Sequence, residues 1–88
     1  MNYPEKVKAS SRRLNPEALL ADGLDPGLIG YAEIEQGFVA VYSVARCMKY
    51  IAERDGIDED DALEHLDVNV RGSFLGDFTP LFVDEPWL

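Results

Sequence analysis

One cysteine, one histidine and few basic residues limit the chemistry open to this chain of 88 residues. A lone Cys47 excludes an internal disulfide framework and fits a reducing compartment, so a cytoplasmic location is expected. Cys47 and His65 are the whole stock of soft ligands, too few for a zinc site of three or four Cys and His side chains. Uncharged runs are short as well. The longest, residues 36–45, is about half of what a helix needs to cross a bilayer. No apolar stretch follows the opening Met-Asn-Tyr-Pro-Glu-Lys, so no secretory signal is expected. Bases are outnumbered: eight Lys and Arg stand against seventeen Asp and Glu, a net charge of −9.

What is present is enough for one core. Apolar residues make up 47% of the chain, with four Tyr, four Phe and one Trp, which separates it from a disordered acidic tail. A chain this short forms one domain. Its charge is divided unevenly. Residues 1–13 carry Lys6, Lys8, Arg12 and Arg13 against Glu5, a net of +3, and read as a flexible basic arm. Residues 14–88 carry sixteen acids against Arg46, Lys49, Arg54 and Arg71, a net of −12, and read as a single acidic domain. Such a body is repelled by nucleic acid and by anionic membranes, and is drawn to a basic protein surface. Acidic surfaces also serve solubility alone, so the placement of the charges decides between the two.

Local signals predict the elements. Asn15-Pro16-Glu17 is a helix start, with Gly23 able to end a short N-terminal helix, and Asp25-Pro26 repeats the signal. A period of two follows. Tyr31, Glu33 and Glu35 share one strand face and Ala32 and Ile34 the other; after Gln36-Gly37 comes the β-branched and aromatic run 38–42. Together they predict an antiparallel hairpin. Ser43 caps a helix whose buried stripe is Val44, Cys47, Met48 and Ile51, and Gly56 stops it. Asp58 caps a second helix with Ala62, Leu63, Leu66 and Val70 inward, ending at Gly72. Pro80 forces extended backbone before it and places residues 81–83 as an edge strand. The expected fold is α+β: a small single domain with an antiparallel three-stranded sheet, in β-β-α-α-β order, packed on two helices.

Catalysis has little to build on. Cys47 lies on the apolar stripe of its helix, where thiols are inert, and His65 faces away from the Leu63/Leu66 stripe. The run 55–61 invites a calcium loop, but that register puts Asp60 at the required glycine and Leu66 at the bidentate glutamate. No glycine-rich phosphate cradle is present. The chain reads as a non-enzyme with no cofactor. The concentrated feature is residues 53–67, with eight acids and Arg54 as the sole base. Asp58, Glu59, Asp60 and Asp61 complement a helix N-terminus, each by about 0.3–1 kcal/mol. Glu64 and Asp67 lie beyond that benefit. Asp60, Glu64 and Asp67 follow i, i+4, i+7, rising by about 0, 6 and 10.5 Å on one face. A groove shaped for a phosphate backbone would accept this row. Tyr31, Glu33 and Glu35 form a second candidate contact, an aromatic anchor among carboxylates, with Phe38 or Tyr42 alongside. The Trp87 terminus, set among acids, is a third.

Asp55-Gly56, Ala62, Asn69-Val70, Gly72, Gly76, Thr79-Pro80 and Phe82, with Cys47 and the hairpin before it, resemble a set of short proteins of phages and mobile elements. The resemblance spans residues 24–83, about two thirds of the chain. It implies a phage or prophage origin. In size and charge the chain is also similar to anti-CRISPR proteins, which implies an inhibitor that occupies basic surfaces of a CRISPR effector complex and blocks nucleic-acid engagement. It would act as a monomer or dimer inside the host cell, touching neither nucleic acid nor membrane directly. The other reading is a homo-oligomeric regulatory, accessory or antitoxin-like protein with a basic partner, self-associating through the hairpin edge or Trp87.

Overall fold

The computed structural model describes residues 15, 17–21, 23–68 and 76–85. The arm 1–13 and the expectations placed on Val70, Gly72, Phe74, Leu75 and Trp87 lie outside them. A 3-10 turn at Asp25–Gly27 leads into strand β1, Leu28–Ile34, and then β2, Gly37–Ser43. Helices α1, Val44–Asp55, and α2, Glu59–Leu66, follow before strand β3, Leu81–Val83. The order and the α+β class are those read from the sequence.

Both helices start and stop where side-chain chemistry provides for it. Ser43 Oγ accepts the Arg46 N–H at 3.2 Å, and the αL residue Gly56 (φ +66°) closes α1. Asp58 then caps α2 by accepting the Asp61 N–H at 2.8 Å. Asp58→Ala should cost about 1 kcal/mol, measurable by urea unfolding, with Asp58→Asn close to wild type because amide oxygen caps equally well.

One core holds the layers together. Val44, Cys47 and Ile51 of α1 and Ala62 and Leu66 of α2 pack with Leu24, Leu28, Ala40 and Tyr42. Tyr42 is fully buried, and its hydroxyl is satisfied by the Ala21 N–H at 2.8 Å. Its ring stacks on Phe82, centroids 5.4 Å apart, which anchors β3. Tyr42 is therefore a core residue and not part of an outer aromatic surface.

Three expectations are corrected. The sheet, in order β1-β2-β3, is mixed: β1 and β2 are antiparallel, but β3 runs parallel to β2, with Val41 opposite Leu81 and Ser43 opposite Val83. A parallel neighbour needs a crossover of roughly a dozen residues or more, and the chain from Val44 to Pro80 is long enough for either direction. No local signal in residues 81–83 encodes which. Second, the described residues 15, 17–21 and 23 are not helical. Asn15 Oδ1 accepts the Glu17 N–H at 3.0 Å, a local turn, while the Leu19 N–H donates to Phe78 O and not to a helical carbonyl. The capping residue caps a turn because tertiary contacts claim the next donors. Third, the hairpin turn is Glu35-Gln36, so Glu35 leaves the strand face it was assigned to.

The hairpin also carries a bulge. Leu28 pairs with Tyr42 and Gly30 with Val41, which leaves Ile29 as the extra residue. That single insertion reverses the alternation. Leu28 and Tyr31 share a side of the sheet, and Tyr31 and Glu33, opposite Ala40 and Phe38, point to the side that bears the helices.

Beyond β3, Glu85 folds back on α1. Arg46 Nε donates to Glu85 Oε1 at 2.9 Å, and a hydrogen bond with Ser43, followed by Arg46, holds the Glu85 carboxyl below its ordinary 4.5. This contribution to stability is present above the unfolded value and is lost as pH falls through the lower folded one. Glu85→Gln should therefore be less stable than wild type at neutral pH, and the difference should vanish in acid. Thermal unfolding of both proteins across that range checks it.

Candidate protein-binding surface

Helix α2 is short and amphipathic by position. Ala62 and Leu66 are fully buried, and every acid of the helix is exposed. Asp58, Glu59, Asp60 and Asp61 occupy the cap and first turn, where the helix N-terminus favours them. Glu64 and the C-cap residue Asp67 do not share that benefit. Asp67 keeps αR geometry (φ −64°, ψ −44°) at the start of the π-type turn that follows the helix, so it stays exposed beyond Asp60 and Glu64. Asp67 stands at the negative end of the helix dipole, where a carboxylate is disfavoured.

The nearby cation does not neutralise this face. Arg54 forms a two-pronged pair with Asp55, at 2.9 and 3.1 Å, and lies over the Tyr50 ring at 5.6 Å. The hydrogen bond from Arg54 holds the Asp55 carboxyl below its ordinary range. Among the described residues, no Lys or Arg pairs with the carboxylates of Glu59, Asp60, Asp61 or Glu64.

The hairpin group is a separate surface on the sheet. Tyr31 is 47% exposed and meets Phe38 edge to face, centroids 5.6 Å apart. Glu33 is exposed opposite Phe38, and Glu35 sits in the turn beyond them. The structure thus keeps α2 and the hairpin tip as two acidic patches on different layers.

A feature that the acidic pattern concealed lies on the solvent side of α2. Ile57, Asp61, Glu64, His65 and Val68 line an open groove of about 340 Å³. Val68, just past the helix in a π-type turn, is 70% exposed, and Ile57 is 36% exposed. Their spacing, Ile57, Asp61, Glu64, Val68, is i, i+4, i+7, i+11, a signal present in the sequence and masked by the density of acids around it.

The nucleophile candidate is inert. Cys47 is fully buried, and burial pushes its thiol up to about 11, so the thiolate is scarce at neutral pH. Among the described residues no three Cys, His, Asp or Glu side chains gather to hold a metal, and no helix is long and apolar enough to cross a membrane. Comparison with protein-family models, with curated proteins and with solved structures returns no match to this chain.

Proposed function

We propose that this domain acts by occupancy, presenting the acidic face of α2 to a Lys/Arg-rich groove of another protein and denying that groove to nucleic acid. The observation that carries this reading is the exposed row of Asp60, Glu64 and Asp67, in which Asp60 and Glu64 meet no described cation. Asp60 gains from the helix N-terminus, but Glu64 and Asp67 lie beyond that benefit. Like charges at this spacing cost about 0.2–0.5 kcal/mol per pair, and Asp67 opposes the dipole. Carboxylates that repel one another along this row become favourable against cations in a complex, where charge also speeds encounter.

The specific form of the proposal is an anti-CRISPR protein of phage origin. An effector complex grips its heteroduplex through backbone contacts in a positively charged channel, and such a channel suits a rigid row of carboxylates. Titrating the protein into purified effector complexes of different types while following target-DNA binding tests it. One type should lose DNA binding, and high salt should weaken the inhibition, because the screening length falls from about 10 Å at 0.1 M to about 3 Å at 1 M. Retained DNA binding in every type would remove the anti-CRISPR form.

A second reading rests on the edge strand. Leu81 and Val83 are 41% and 37% exposed on β3, and they share a side with Val41. An apolar edge of this kind suits self-association, as a homo-oligomeric regulatory or antitoxin-like protein would use. Light scattering that returns a dimer sensitive to Leu81→Lys would favour it over the occupancy reading.

A further inference from the structure

We propose that the groove along the outer side of α2 docks a basic amphipathic helix, reading both its charge and its apolar seam. This deepens the occupancy reading by naming the shape of the partner, and it rests on that reading for the sign of the charge.

Ile57, just before the cap Asp58, Asp61 and Glu64 of α2, and Val68, in the π-type turn after the helix, form one seam of two aliphatic ends and two central carboxylates along the groove. The helical part of it, Glu59–Leu66, is about 12 Å long at about 1.5 Å per residue. Its ends are apolar and open to solvent, Val68 most of all, while its centre is two carboxylates flanking a groove of about 340 Å³. Ala62 and Leu66 point into the core, so this stripe is the side of α2 turned away from the domain.

Charge complementarity selects the occupant. A second copy of this chain would set Asp61 and Glu64 against their own kind, which disfavours pairing through this face. A nucleic acid would meet a −7 segment, residues 53–67, and be repelled. A helix with Lys or Arg at two central seam positions and aliphatic side chains at the outer two meets both carboxylates and both aliphatic ends of the groove. The long basic side chains would lay their methylene stems along the groove while their heads reach the carboxylates.

The test uses the full chain, isotopically labelled, titrated with two synthetic helical peptides of about 18 residues, long enough to hold helix in water. One carries Leu-Lys-Lys-Leu at the four seam positions. The other has the same composition with those residues moved off the seam. Amide shifts should map to residues 57–68, with the seam peptide binding at least about tenfold tighter, equivalent to about 1.4 kcal/mol. Ile57→Ser with Val68→Ser, which changes no charge, should erase that preference. Equal affinity for the two peptides, shifts confined to the hairpin or β3, or no binding by either would overturn the helix-docking inference. The occupancy reading is judged separately, by Asp60→Lys with Asp67→Lys, which lie off the seam. Loss of effector inhibition there, with the peptide preference absent, would leave occupancy standing and remove only the groove.

Discussion

Replacing Asp60, Glu64 and Asp67 together by lysine should lower affinity for the proposed basic partner by about 100-fold or more while leaving the domain folded. Desolvated charge contacts are each worth up to a few kcal/mol, and rim contacts less. A combined loss of about 3 kcal/mol corresponds to roughly 100-fold. The free protein should tolerate the change because all three side chains are exposed. Lysine at position 60 forfeits a favourable dipole interaction, lysine at the C-cap position 67 gains one, and the like-charge repulsion along the row is broken up. Circular dichroism and thermal unfolding should therefore resemble wild type. Glu33→Lys, made separately, reports on the hairpin patch. A loss of binding there with the α2 variant unaffected would move the contact surface to the sheet.

Gly27→Ala should be the most destabilising small substitution in the described core. A Cβ at Gly27 would fall far inside van der Waals distance of Cys47 Sγ, and at 3.3 and 3.4 Å from Cys47 N and Cα. Neither partner can yield easily, since Cys47 is fully buried in the first turn of α1. Overpacking of this kind costs about 1–3 kcal/mol. An 88-residue domain holds only about 4–13 kcal/mol in total, at roughly 0.05–0.15 kcal/mol per residue. The mechanism is specific to the sulfur, so Cys47→Ala should partly rescue Gly27→Ala. The double variant should be more stable than the sum of the singles by about 1 kcal/mol, read from urea midpoints. Additive losses would mean that backbone and not the thiol sets the close approach of the turn to α1.

Much of this molecule was legible in its sequence, because several signals were local. Ser43, Gly56 and Asp58 mark helix ends through their own hydrogen bonds and backbone angles, and the structure places those ends there. Buried stripes on both helices follow from a 3.6-residue period. The direction of β3 was not legible, because its entry is decided by a crossover distant from its three residues. Nor was the bulge at Ile29, which overrides strict alternation and moves Tyr31 and Glu33 to the helix-bearing side. Asn15 showed the limit of a capping signal: it organises a turn, and the Leu19 donor that a helix would need is taken by Phe78. For the candidate surface, acid density found the row on α2 but hid the two exposed aliphatic residues that flank it. Ile57 and Val68 look ordinary one at a time, and only the groove that they line with Asp61 and Glu64 gives them meaning.

The proposed occupancy is decided by a structure of the protein in complex with an effector found to lose DNA binding in its presence. Lys or Arg nitrogens within about 4 Å of the carboxylates of Asp60, Glu64 and Asp67 are the predicted result. Those carboxylates facing water, with the contact made instead through Leu81 and Val83, would contradict it.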